Sequence, residues 1–241
     1  MVEHKVLKDL NIKIFADGAN LDSIKKLNEL DFISGFTTNP SLMKKAGVVD
    51  YKKFANELVS IVPSKPISFE VFADDLLQME EQALEIASWG ENINVKIPIM
   101  NTKGELTDKV IKNLSKKKIK LNITAIFTID QIKAIKDSID DDVYTIISIF
   151  AGRIADTGID PSQIIRKTIE EFKSKPMSKI LWASPRELLN IFQAENVGCH
   201  IITVADDIIK KINLINKDHK TFSLETVKMF YNDAVSAGYK I

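Results

Sequence analysis

Lys96 stands among apolar residues in the run 94–99 (NVKIPI), and its setting is what gives it chemical potential. Read as a strand, the run sends Val95, Ile97 and Ile99 to one face and Asn94, Lys96 and Pro98 to the other. An amine held in a confined place can be kept neutral and add to a carbonyl. The resulting imine, once protonated, draws electrons from the neighbouring carbon–carbon bond. The spacing leaves a second reading open, a stem that packs while its ammonium reaches the rim or pairs with a carboxylate.

Imine chemistry also needs a proton shuttle and groups for substrate hydroxyls. Asp17 closes the run 13–17 (KIFAD), and the run 67–73 (ISFEVFA) presents Ser68, Glu70 and Phe72 on one face. Asp17 is a shuttle or a helix cap or turn residue, and Glu70 a shuttle or the ion-pair partner of Lys96. Asn39 ends the run 35–39 (GFTTN) just before Pro40, where a turn residue is the alternative. In 120–127 (KLNITAIF), Leu121, Ile123 and Ala125 point outward and Asn122 and Thr124 inward, a polar pair that suggests a hydrated cavity. An anion has two receiving points. Ser148 and Phe150 lead into Gly152-Arg153, and Ser184-Pro185-Arg186 stands where a helix should begin, so two arginines, a hydroxyl and exposed backbone N–H groups could hold a phosphate.

The elements that must carry these residues are short β-rich runs, each followed by a helical pattern. Eight are present: 13–17, 35–39, 67–73, 94–99, 120–127, 144–151, 179–184 and 200–205. Their centres recur every ~27 residues, close to one βα unit of a (β/α)8 TIM barrel, in which active sites occupy the C-terminal ends of the strands. Stripes such as Leu76, Leu77, Met79, Ala83, Leu84, Ile86 and Ala87, and Ile164, Ile165, Thr168, Ile169 and Phe172, mark the helices. Expected caps are Asp22 or Ser23, Asp74, Thr107, Thr128, Ser184 with Glu187, and Asp206. The first turn, DGAN, lacks the GxGxxG of a dinucleotide fold. After the eighth unit comes 223–239, with Leu224, Val227, Phe230, Tyr231, Ala234 and Val235 on one helical face. Residues 1–241 are expected to form one α/β domain, with that additional C-terminal helix packed on the barrel or on a neighbouring subunit.

Composition narrows the partners. The 241 residues carry 33 Lys+Arg and 33 Asp+Glu, a net charge of zero, so the whole molecule has no field for nucleic acid or an anionic membrane. The basic cluster Lys116, Lys117, Lys118 and Lys120 falls where a helix ends, a favourable place for cations without any nucleic acid. The longest uncharged stretch, 32–43, is too short to span a bilayer, and the N-terminal MVEHKVLKDLNIKIF lacks the apolar core of a signal peptide. One cysteine, Cys199, suits a reducing compartment, so a cytoplasmic location is expected. His4, His200 and His219 are scattered and give no metal-ligand spacing. Trp89 and Trp182 are read as packing residues.

Taken in order, FADGAN, GFTTNPSL, SFEV, VKIP, NITAIF, SIFAGR and LWASPREL resemble the motifs of the transaldolase family over about residues 13–215. The resemblance implies a metal-free, cofactor-free transfer of dihydroxyacetone from sedoheptulose 7-phosphate to glyceraldehyde 3-phosphate, a step of the pentose phosphate pathway giving erythrose 4-phosphate and fructose 6-phosphate. It implies Lys96 as the imine-forming lysine, Asp17 as acid/base, and Glu70 with Thr124 as the pair that activates water. It further implies Asn39, Asn122 and Ser148 on the dihydroxyacetone hydroxyls, and Arg153, Ser184 and Arg186 on phosphate. The lyase branch, fructose-6-phosphate aldolase, typically carries Gln at the position of Glu70, and Ala and Tyr at those of Ser148 and Phe150; all three positions here resemble the transferase. A non-catalytic sugar-phosphate-binding barrel is a third reading. Gly18 for Thr, Ile149 for Pro and Pro185 within the phosphate loop depart from the pattern. The resemblance to short members of the family implies a homo-oligomer, a pentamer or decamer, with the C-terminal helix reaching a neighbour as in decameric rings.

Overall fold

A computed structural model describes residue 7 and residues 9–241; His4 and most of the charged N-terminal stretch lie outside the described residues. Eight parallel strands close a barrel in chain order: β1 (Lys13–Asp17), β2 (Ile33–Thr37), β3 (Ile67–Glu70), β4 (Ile93–Pro98), β5 (Leu121–Ile126), β6 (Thr145–Ile149), β7 (Ser178–Trp182) and β8 (Ile201–Ala205). Closure is made by β8 on β1, from Lys13 opposite Ile201 to Asp17 opposite Ala205. The connections carry α1 (Leu21–Asn28), α2 (Pro40–Lys45), α3 (Tyr51–Ile61), α4 (Leu76–Ala87), α5 (Asp108–Lys116), α6 (Ile129–Lys136), α7 (Ala151–Ala155), α8 (Ser162–Glu171), α9 (Leu189–Asn196) and α10 (Asp206–Ile209). A 3-10 turn (Lys210–Leu214) then leads to α11 (His219–Ser236). The (β/α)8 TIM barrel with a C-terminal helix is therefore the architecture.

Strand alternation builds two cores. Outward residues such as Val95, Ile97, Leu121 and Ile123 are buried against the helices in one large shell, in which Trp182 is also buried. Inward residues Phe15, Ile146, Leu181, Ala183 and Ile201 form a second, separate cluster inside the barrel. A Cβ on Gly35 would lie 2.7 Å from the Phe15 ring, so glycine at this point of β2 is what admits that ring. Trp89 packs edge-on with Tyr51 and Phe69, as befits a packing residue. Cys199 is buried at the entry to β8, and burial pushes its thiol up to about 12.

Several local expectations shift. β2 begins at Ile33 rather than Gly35 and ends before Asn39, which becomes the cap of α2. β3 ends at Glu70, so Phe72 escapes the alternation; it is 65% exposed and leans on Tyr51 outside the barrel. Asn20, not Asp22 or Ser23, caps α1 through the Ser23 N–H, and Asp75, not Asp74, caps α4. Asp74 instead takes the N–H and hydroxyl of Thr102 in the loop after β4. Thr128 forms the expected cap, a reciprocal one with Gln131, whereas the Thr107 hydroxyl turns back to the Pro98 carbonyl. Ser184 adopts φ +56 well before α9 begins, and Asp206 lies inside α10 rather than ahead of it. The C-terminal helix spans His219–Ser236, four residues earlier than its apolar stripe suggests. None of its residues is buried, and Leu224, Val227, Phe230, Tyr231 and Val235 are all more than half exposed.

Candidate active site

The register sets Glu70, Lys96 and Asn122 side by side across β3, β4 and β5. Alternation turns all three inward, and the result is a chain of polar contacts with few free ends. Lys96 Nζ lies 3.1 Å from Glu70 Oε2 and donates to the Thr38 carbonyl at 3.1 Å, with its side chain 9% exposed. Glu70 is anchored from behind, where the Tyr51 hydroxyl donates to its backbone carbonyl at 2.8 Å. The contact with Glu70 places Lys96 Nζ beside the barrel interior, a geometry shared by both readings that the spacing left open.

On the far side, Ser148 donates to Asn122 Oδ1 at 2.7 Å and Asn122 donates through Nδ2 to Ser68 Oγ at 3.0 Å. This fixes which way the Asn122 amide faces. Thr124 is buried above them and its hydroxyl has no hydrogen-bond partner. β5 bulges here: pairing with β6 skips between Ile123 and Ile126, and Ala125 takes φ +59. A non-glycine residue in that region costs on the order of 1–2 kcal/mol and is tolerated where the surroundings enforce it, often beside functional groups.

Asp17, at the end of β1, accepts the Thr37 hydroxyl at 2.7 Å. Burial pushes its carboxyl above the usual range, Lys96 and the Thr37 hydrogen bond pull it back, and Glu70 pushes it up. Asn39, expected either in the site or as a turn residue, caps α2 with Oδ1 on the Leu42 N–H and also lines the cavity. Asp17, Thr37, Asn39, Lys96, Asn122, Thr124, Ser148, Phe150, Ser184 and Thr203 converge on one cavity of about 40 Å³. That is room for one or two waters. Asn122 and Thr124, expected to face a hydrated cavity, line this small one.

The two arginines do not line it. Arg153 lies with its guanidinium carbon 5.3 Å from the centre of the Phe150 ring. Arg186 forms a two-pronged pair with Asp156, Nε on Oδ1 at 2.9 Å and the terminal nitrogen on Oδ2 at 2.5 Å. The backbone N–H groups of Arg186 and Glu187, expected to face an anion, both donate to Asn190 Oδ1. A Cβ on Gly152 would come within 1.5 Å of the Ser184 carbonyl oxygen, so glycine is what lets the β6 and β7 rims touch.

Sequence reasoning missed Thr37, Thr38, Tyr51 and Thr203. The period-two rule that found Asn122 would have found Thr203 in 200–205 and, with β2 correctly started, Thr37. Thr38 acts through its carbonyl, which no side-chain pattern reveals. Of the basic cluster, Lys117 pairs with Glu80, Lys118 with Asp140 and Asp142, and Lys120 with the Glu91 carbonyl. Among the described residues no group of three His, Cys, Asp or Glu could hold a metal ion, and no helix is long and apolar enough to cross a membrane.

Comparison with known proteins adds the following. Residues 14–240 match the family described as transaldolase/fructose-6-phosphate aldolase. A protein of Thermoanaerobacter sp. named "probable transaldolase" is 38% identical over 203 residues, 83% of this chain and 89% of that one. One of the same name from Streptococcus equi subsp. zooepidemicus is 36% identical over 218 residues, 88% and 96% of the two chains. Among solved structures, N-acetylneuraminate lyase from Mycoplasma synoviae superposes with a TM-score of 0.59 at 11% identity, covering 94% of this chain and 82% of that one. KGPDC from Streptococcus mutans gives 0.56 at 12% identity, covering 84% and 90%. These two likenesses are of fold alone.

Proposed function

The chain belongs to the transaldolase/fructose-6-phosphate aldolase family, and from that premise we propose that it is a transaldolase. It moves a dihydroxyacetone unit from sedoheptulose 7-phosphate to glyceraldehyde 3-phosphate through an imine on Lys96. The observation that carries this reading is the pair of buried Lys96 with Glu70 at 3.1 Å, beside a cavity that also holds the unpartnered Thr124 hydroxyl.

Addition to the ketose carbonyl needs the lone pair of Lys96, and Glu70 is close enough to take the amine's proton. The carbinolamine loses water to give the protonated imine. As the C3–C4 bond breaks, its electrons move toward the imine nitrogen and Asp17 takes the C4 hydroxyl proton, releasing erythrose 4-phosphate. The enamine left on Lys96 attacks the aldehyde carbon of glyceraldehyde 3-phosphate, and Asp17 returns its proton to the new hydroxyl. A water held by Glu70 and Thr124 then hydrolyses the imine, giving fructose 6-phosphate. Asn39, Asn122 and Ser148 hold the dihydroxyacetone hydroxyls, with Phe150 beside them. Arg153, Ser184 and Arg186 receive phosphate; for Arg186 this means exchanging Asp156 for the ligand.

Two assays run side by side test this. Ketose donor plus aldehyde acceptor should give transfer, and borohydride added with the donor should leave an adduct on Lys96 detectable by mass spectrometry. No adduct on Lys96 overturns the reading. Efficient condensation of free dihydroxyacetone with glyceraldehyde 3-phosphate, without a ketose donor, assigns the chain to the lyase activity instead. The same proposal includes a cytoplasmic homo-oligomer, pentamer or decamer, in which the exposed apolar side chains of α11 meet a neighbouring copy. Sedimentation of the full chain as a monomer overturns that part.

A further inference from the structure

Asp17 is held by two hydroxyls in series that the reaction scheme above leaves without a role. Thr37 on β2 donates to Asp17 Oδ1 at 2.7 Å, and Thr37 Oγ1 lies 2.5 Å from Thr203 Oγ1 on β8. β2 and β8 are the two neighbours of β1, so the pair of hydroxyls bridges across the strand that carries Asp17. Both threonines are buried, Thr37 at 1% and Thr203 at 6% exposure. A hydroxyl has one proton to donate. Thr37 gives its proton to the carboxylate, so in the short contact Thr203 is the donor and Thr37 the acceptor. Accepting that bond polarises Thr37 and strengthens the one it makes to Asp17.

We infer that Thr203 is a positioning residue for Asp17, fixing one carboxylate oxygen through Thr37 and leaving the other to exchange protons with the substrate. The assignment of that exchange rests on the transaldolase reading; the hydroxyl chain itself does not. The chain runs in the direction that favours the ionised carboxylate, because protonating Oδ1 toward Thr37 would require both hydroxyls to reverse. It opposes the burial that pushes the Asp17 carboxyl up. The charged groups that face Asp17 are Lys96 from β4 and Glu70 from β3. On its other side Lys45 of α2 and Asp206, Asp207 and Lys210 line a neighbouring groove, with Lys210 tied to Asp206 at 2.6 Å.

The test is a carbon NMR titration of carboxyl-labelled aspartate in the full-length chain, following Asp17 in wild type, Thr203→Val, Thr203→Ser, Thr37→Val and the Thr37→Val/Thr203→Val double variant. Thr203→Val should make Asp17 roughly three- to tenfold less acidic, the range of one modest hydrogen bond. Thr203→Ser should restore the wild-type midpoint, and Thr37→Val should shift it further. A serial chain requires the double variant to match Thr37→Val alone, since Thr203 then has nothing to act through. The acid limb of the kcat–pH profile should move upward with the titration. An unchanged midpoint in Thr203→Val, or a double-variant shift equal to the sum of the single shifts, overturns the inference. If Thr203→Val does not fold, Thr203→Cys takes its place, and its weakly donating thiol should give a midpoint between wild type and Thr37→Val. A wild type that leaves no borohydride adduct on Lys96 sinks the transaldolase reading, while the titration still decides the hydroxyl chain.

Discussion

The two sides of the barrel interior obey the same alternation and do opposite things. Toward β7, β8 and β1 the inward Phe15, Leu181, Ala183 and Ile201, joined by Ile146, form an apolar cluster whose demands are only of shape, with Asp17 and Thr203 the polar exceptions. From β2 round to β6 the inward positions include Thr37, Ser68, Lys96, Asn122, Thr124 and Ser148, which are buried and nearly all hydrogen-bonded, and the partly exposed Glu70. The polar side tolerates an unpartnered hydroxyl on Thr124 and an unpartnered Asn94 carbonyl oxygen, each costing about 1–3 kcal/mol. A fold selected for stability alone would fill those places with methyl groups. The difference teaches that stability is concentrated in one arc of the lumen and reactivity in the other, with Asp17 and its two threonines at the seam.

Substitutions can break that division. Lys96→Met should lower turnover by on the order of 10⁴-fold or more and abolish the borohydride adduct, with the barrel's circular dichroism retained. Turnover surviving in this variant would move the chemistry out of the polar arc. Phe15→Ala, in the apolar arc, should cost about 3–5 kcal/mol in urea unfolding while leaving the adduct on Lys96 in the folded fraction. Loss of the adduct there at unchanged stability would merge the two arcs into one.

Asp17→Asn sharpens the seam. Turnover should fall by about 10²–10⁴-fold, the usual worth of a general acid or base. Stability should move the other way. A carboxyl whose value is raised by folding is costless at low pH and increasingly costly as the pH climbs past the ordinary carboxylate range. The variant should therefore gain on wild type in melting temperature from pH 4 toward pH 8, and a difference that shrinks over that range would contradict the burial of Asp17. Smallest of all, Thr124→Val should stabilise the fold by about 1 kcal/mol, since it replaces an unpartnered hydroxyl with a methyl group of similar shape, and should slow imine hydrolysis in single-turnover kinetics. A destabilised Thr124→Val would show that the hydroxyl has a partner in solution.

Much of this layout is legible in the sequence because period-two alternation survives wherever a strand is flanked on both sides. Lys96, Asn122, Thr124 and Ser148 were readable on that ground. Phe72 departs from the alternation because the hydrogen-bonded ladder stops at Glu70, and composition alone does not mark the stop. The caps slid by one to three residues at Asn20 and Asp75 because several neighbouring Asn, Asp and Ser side chains can each satisfy a first turn. Arg186 shows a different limit: its charge is visible in the sequence, but its partner Asp156 is thirty residues away and emerges only when the β6 and β7 loops meet at Gly152. The hydroxyl chain of Thr37 and Thr203 needed the closure of β8 onto β1, a contact spanning most of the chain.

The solitary buried thiol at the entrance to β8 turns the protein into its own clock. Only a thiolate reacts with disulfide reagents, and Cys199 is both shielded and held near 12, so the closed molecule is effectively inert to them at neutral pH. Labelling therefore requires the entrance to β8, the strand whose pairing with β1 closes the ring, to open and uncover the sulfur. With one cysteine in the sequence there is one reacting species to follow; its rate reads out the population of the open form at low reagent and the frequency of opening at saturating reagent.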